Sequence, residues 1–225
     1  MHEAFEWSEV AELESGKPLA QAVRNGGCLK YCCLTNCLHH GAVQGAAESY
    51  IGEIIMLDIL RNRRSIRTFK DKEVEQELIE LLMEAALRSP TSRGSNPWRF
   101  LFVTDKATLE ELSRAKPNGS GFLKGARLGV VISAVEEESD VWVEDCSIAS
   151  IILQLTGQSM GLGSCWIQIR NRMHNSDQSS EDYIKKTLHL PENLRVESMI
   201  AFGYPDEKKT PIPKDELEYE KILSG

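Results

Sequence analysis

Beyond residue 55 the apolar positions fall into helical and strand periods, and before it they do not. Val74, Leu78, Leu81, Leu82 and Ala85 recur at i, i+4, i+7 and i+8, which predicts an amphipathic helix over 73–88 that Ser89-Pro90 ends. Upstream, Leu57, Ile59 and Leu60 predict a short helix running into an extended turn at the arginines that follow. Phe100 to Val103 reads as a buried strand and 108–115 as a helix. Leu128 to Val135 is rich in β-branched residues and too short for a long helix, so a central strand is expected there. Ile148, Ile151, Ile152 and Leu155 stand at helical spacing, with small or apolar residues around much of the circumference, as in a helix buried on several sides. Gly161-Leu162-Gly163 breaks that helix. Ser164 to Ile167 then reads as a strand, Asp182 to Leu188 as a short helix and Ser198 to Phe202 as the last strand. Helices alternate with strands, so the expected class is α+β, a mixed central sheet flanked by helices.

Composition divides the chain at the same place. Residues 1–55 hold four of the six cysteines, with seven acids and three bases; residues 56–225 hold 27 acids and 23 bases. Each part carries half of the net charge of −8, so neither is an electrostatic arm. The first part has a weakly amphipathic acidic start (Phe5, Trp7, Val10, Leu13) and glycines at 26, 27 and 41. It lacks the basic start and apolar run of a secretory signal, so a cytoplasmic protein without stable disulfides is expected. Cys28, Cys32, Cys33 and Cys37, with His39-His40, invite a metal or cluster reading. Their C-x3-C-C-x3-C spacing matches neither paired C-x2-C ligands nor a ferredoxin run. An accessory extension of unknown role over 1–55, with Met56 opening the main domain at 56–225, is the expectation.

The acidic balance argues against nucleic acid as the main partner, since neutralising phosphates needs a basic surface. No run of ~18 apolar residues predicts a membrane span. Phosphate-loop, dinucleotide-turn, G-x-S-x-G and H-E-x-x-H motifs do not occur. His174, His189 and Tyr183 stand in polar segments and read as solvated side chains, so no catalytic side chain is assigned. What stands out is Arg63-Arg64-Ser65-Ile66-Arg67, because guanidiniums bind phosphate bidentately and a hydroxyl adds a further donor.

That cluster is the first of five ordered blocks. They are Arg63 to Arg67, the Pro90-Thr91-Ser92 to Asn96-Pro97-Trp98 loop, Glu144 to Ala149, Gly161 to Ile167, and Gly203-Tyr204-Pro205 with Lys208-Lys209. Their order resembles the nitroreductase family of FMN-dependent oxidoreductases over roughly residues 56–210. The resemblance implies an intertwined homodimer with FMN at the subunit interface and NADH or NADPH as reductant. The implied acceptor is a nitroaromatic, quinone or similar flat molecule, reduced by a ping-pong scheme. By the same resemblance Arg63, Arg64 and Ser65 hold the FMN phosphate and ribityl chain, and Arg67 sits near flavin N1 and O2. Thr91, Ser92, Arg93 and Asn96 reach the partner subunit's flavin, Cys165, Trp166 and Ile167 line the ring face, and Lys208 or Lys209 completes the phosphate site. The loop departs from the family's usual residues at Gly94 and Asn96. The segment from Arg170 to Glu181, which follows the flavin-side strand, is an expected pocket rim. A flavin-sequestering protein with little turnover is the alternative, and a redox module in the N-terminal cysteines a third reading.

Overall fold

The structure, a computed structural model, describes residues 56–223 and Gly225. The reading of Cys28, Cys32, Cys33 and Cys37 lies outside the described residues. Four strands, β1 (Trp98–Val103), β2 (Leu128–Val135), β3 (Gly163–Gln168) and β4 (Leu194–Gly203), form one sheet in the order β1-β2-β4-β3. Every neighbouring pair is antiparallel. The parallel component expected of a mixed sheet is confined, among the described residues, to a single bridge between Ser65 and Ser164.

Among the described residues there are five helices: α1, helical over residues 56–62, then α2 (Gln76–Leu87), α3 (Lys106–Ser113), α4 (Trp142–Ser159) and α5 (Ser180–Leu188). The Asp105 carboxylate caps α3 by accepting the Thr108 N–H at 2.8 Å, and the Ser179 hydroxyl caps α5 by accepting that of Asp182 at 3.0 Å. Central β2 is buried almost throughout because both of its faces are covered. Leu128, Val130, Ile132 and Ala134 pack toward α2 and α4, while Val131 joins Leu109, Leu112 and Ile184 beneath α3 and α5. Such alternation is what a period-2 strand requires between two cores.

Three expectations change on folding. The 100–103 strand is an edge, so Leu101 stays 38% exposed instead of buried. In α2 the inward stripe runs through Ile79, Leu82 and Ala86, leaving Leu81 at 48% exposure. In α4 the buried positions are Trp142, Asp145, Cys146, Ala149, Ser150, Leu153, Gln154 and Gly157, whereas Ile148 and Ile151 are each 40% exposed. Two of the four apolar residues at the expected helical spacing, Ile148 and Ile151, are therefore left on the outer side of α4.

Candidate active site

The arginine segment is placed by its backbone. The Ile66 N–H donates to the Ser164 carbonyl at 2.9 Å, the Lys70 N–H to that of Tyr204 at 2.8 Å, and the Asp206 N–H to that of Thr68 at 2.9 Å. Residues 63–69 thus lie along the start of β3 and the end of β4, with Ile66 turned inward and buried. Two glycines make room for this approach. A Cβ on Gly163 would lie 2.9 Å from three side-chain atoms of Ile66, and one on Gly203 would lie 3.0 Å from Phe69.

Side chains from the C-terminal tail complete the cluster. Lys209 Nζ donates to the Ser65 carbonyl at 2.6 Å, and the Arg64 guanidinium donates to the Thr210 carbonyl. Glu207, which the sequence did not single out, organises the turn. Its Oε1 accepts the backbone N–H of Arg67 and, at 3.1 Å, that of Thr68, while Lys209 Nζ stands 3.4 Å from its Oε2. The Arg67 N–H first, then the Thr68 N–H and the Lys209 charge, hold this carboxyl below its usual range. Arg63, Arg64, Ser65, Arg67 and Lys209 are brought together in this way, while Lys208 is exposed.

Cys165 sits under the cluster. Burial raises its thiol pKa against the opposing pull of Arg67, Ser65, Lys209 and Arg63, which leaves a neutral packing thiol. Alternation along β3 separates the three residues expected to line one ring face. Ile167 belongs to the core under α3 and α5, with Cys165 pointing the same way, and the half-buried Trp166 points to the other side. The Trp166 indole donates to Gln168 Oε1 at 3.1 Å, and Gln168 Nε2 reaches Glu197 Oε1 at 3.4 Å.

Glu197 is the second residue that sequence reasoning missed. The register of β2 with β4 slips between Ile132 and Ser133, so Glu197 is the extra residue of a β-bulge. It is 2% exposed and its Oε2 has no hydrogen-bond partner among the described residues. Burial pushes its carboxyl pKa up, against the hydrogen bonds from Ser198 and Gln168 and the Arg170 charge.

The Thr91, Ser92, Arg93 and Asn96 group lies elsewhere. The Ser92 N–H donates to the buried Asp145 Oδ1 at 2.8 Å, Arg93 pairs with Asp140, and the Asn96 N–H donates to Thr91 Oγ1 at 3.1 Å. Arg93, Gly94 and Asn96 all have positive φ (56°, 67° and 49°), a conformation these tethers hold in place. The loop feeds β1 at Trp98, which pairs with Ala134, whereas Ser164 pairs with Phe202, itself opposite Leu128. Loop and arginine segment are therefore at opposite ends and opposite edges of the sheet. With ~3.3 Å per residue along a strand and ~4.8 Å between strands, the two corners are roughly 20–25 Å apart.

Of the polar residues read as solvated, His189 ends α5 in a left-handed conformation (φ 52°). His174 is more constrained than expected: its ring stacks on Tyr183 with centroids 4.1 Å apart, and Nδ1–H donates to the Arg114 carbonyl at 2.9 Å. The expected rim segment contributes His174 to a cavity of about 440 Å³, shared with the 110–124 region.

The profile of the nitroreductase family matches residues 60–118 and 113–204, more than half of the chain and all of this sheet. The chain belongs to the nitroreductase family. A relative from Methanothermobacter thermautotrophicus, provisionally named NADH dehydrogenase/NAD(P)H nitroreductase, is 31% identical over 163 residues, 71% of this chain and 82% of its own. The FMN reductase (NADPH) of Bacillus subtilis is 27% identical over 192 residues, 75% of this chain and 74% of its own. Among solved structures, an FMN-dependent nitroreductase from Clostridium difficile R20291 superposes with a TM-score of 0.74 at 43% identity, covering 75% of this chain and 98% of that one. The matched span of this nitroreductase family member takes in the arginine segment, the 91–96 loop and β3, and stops just short of Glu207 and Lys209.

Proposed function

We propose that this chain is an FMN-dependent oxidoreductase that passes electrons from NADH or NADPH to a nitroaromatic, quinone or similar flat acceptor by a ping-pong scheme, in the cytoplasm. The observation that carries this reading is the corner where backbone bridges gather Arg63, Arg64, Ser65, Arg67 and Lys209. Its donor set is guanidinium, ammonium and hydroxyl, the chemistry that a phosphate monoester and a polar ribityl chain require, so the residues present fit the cofactor. When bound, FMN supplies the hydride and electron transfer. The side chains would need only to hold and polarise it: Arg63, Arg64 and Lys209 would neutralise phosphate, Ser65 would donate to it, and Arg67 would supply positive charge toward the N1 and O2 side of the flavin, where reduction builds negative charge. Glu207 acts by fixing the Arg67 backbone. The neutral Cys165 thiol offers no nucleophile, in keeping with chemistry that needs none.

The same reading calls for two copies of the chain. The 91–96 loop and the arginine corner stand diagonally apart, so both serve one flavin only if they come from two protomers related by a two-fold axis. The half-exposed Ile148 and Ile151 on α4 offer the apolar face for that association. Family members named for FMN and NAD(P)H agree with the cofactor and the reductant. Purified protein should be yellow, with a band at ~450 nm that bleaches anaerobically on adding NADH or NADPH and recovers with a quinone. A band that forms but does not bleach would favour flavin sequestration. Colourless protein that refuses added FMN would overturn both.

A further inference from the structure

The 440 Å³ cavity beside the arginine corner has its own chemistry. Its charged lining comprises three bases, Arg114, Lys116 and Lys124, against one acid, Glu110. Glu110 is already paired with Arg114 at 2.9 Å, so the remaining balance is positive in a chain whose net charge is −8. Lys116 is half-buried, and burial first, then the neighbouring Arg172 charge, lowers its pKa. A partly desolvated ammonium set beside a guanidinium is stabilised by an anion. His174 is braced on the far wall by its Tyr183 stack and by its Nδ1–H bond to the Arg114 carbonyl, which leaves Nε2 as the ring's open nitrogen.

The cavity adjoins the proposed flavin site. Gly121 lines it, and the next residue, Phe122, lies beneath the Arg67 guanidinium, 5.7 Å from ring centroid to Cζ. The turn at Gly121–Gly125 is thus a wall common to the two. Resting on the flavin reading above, we propose that this basic cavity takes the phosphate or carboxylate of the substrate that approaches the flavin, and so favours substrates that carry this extra anionic group over those that lack it. The phosphate of NADPH and an acid group on the acceptor are the two sources of that chemistry.

Steady-state kinetics on the flavin-loaded protein separate them, with two matched pairs, NADPH against NADH and 4-nitrobenzoate against nitrobenzene. In Lys116→Gln, and independently in Lys124→Gln in case the first variant folds poorly, the ratio of kcat/KM for the member with the extra anionic group to that for the member without it should fall about tenfold in one pair, the loss expected for a charge-assisted hydrogen bond. A fall in the first pair assigns the cavity to the nucleotide, and a fall in the second assigns it to the acceptor. Both ratios holding within about twofold in both variants overturns the proposal. If the wild-type chain takes up no FMN, the flavin reading fails separately. Calorimetry with inorganic pyrophosphate then decides for the cavity: one binding event lost in Lys116→Gln supports an anion site, and an unchanged isotherm removes it.

Discussion

Gly163→Ala tests how the arginine segment is positioned. The new Cβ would stand 2.9 Å from Cβ, Cγ1 and Cγ2 of Ile66. Ile66 is buried and β-branched, so no rotamer change moves its own Cβ out of the way. Carbon atoms prefer ~3.5–4.0 Å, so the segment must retreat by roughly 0.6–1 Å. That stretches the 2.9 Å Ile66–Ser164 hydrogen bond to the limit of its range. Overpacking costs about 1–3 kcal/mol, with about 0.5–1.5 kcal/mol more if the hydrogen bond is lost. The same retreat pulls Ser65 from Lys209 and displaces Arg64 and Arg67, so FMN affinity should drop about tenfold or more, as for one lost hydrogen bond to a charged group. Gly157→Ala is the control: its Cβ would press on the Phe202 ring at 2.7 Å but would leave Ile66 alone. Urea unfolding should report a loss in both variants, while flavin-fluorescence titration should report weaker FMN binding only in Gly163→Ala. Wild-type FMN affinity in a destabilised Gly163→Ala would refute the positioning argument.

Glu197→Gln should leave stability nearly unchanged in acid, below the ordinary carboxyl pKa, and raise it relative to wild type as pH climbs above that value. A carboxyl whose folded pKa is raised contributes stability that is complete below the unfolded pKa and lost as pH rises through the folded one, and the amide removes that loss; urea midpoints measured from acid, below the ordinary carboxyl pKa, into alkali that move in parallel for both proteins would count against it. Cys146 and Cys165, both with thiol pKa raised by burial, should resist iodoacetamide at pH 8 in native protein and react after unfolding, as peptide mass mapping reads out. A chain starting at Met56 should bind FMN and be reduced as the full chain is; loss of flavin with an intact circular-dichroism spectrum would give residues 1–55 a role in the site.

Much of the fold was legible because buried strands advertise themselves. Leu128 to Val135 carries a continuous apolar run, and Gly161 and Gly163 mark the break before β3. Faces were harder to read. Ile148 and Ile151 outrank Ala149 and Ser150 in hydrophobicity, so periodicity chose the outer side of α4, which a lone chain leaves exposed. The buried strand expected at 100–103 became an edge because strand order is a tertiary property. The arginines were conspicuous by charge, whereas Glu207 looked like one acid in a charged tail until the fold set it against the Arg67 and Thr68 amides. Glu197 had one local signal, an acid between Val196 and the apolar run that follows Ser198, which reads equally well as a strand end.

That one flavin is held between diagonal corners of two protomers is tested most directly by complementation. An arginine-corner variant, Arg63→Ala with Arg67→Ala, and a loop variant, Thr91→Ala with Asn96→Ala, are each expected to bind FMN poorly. Co-expressed with different tags, they should form mixed dimers in which one site combines both defects and the other has neither. Random pairing then restores about one quarter of all sites, detected as flavin absorbance and NAD(P)H oxidation confined to doubly tagged protein. Doubly tagged dimers with no more flavin than either parent would contradict the shared site.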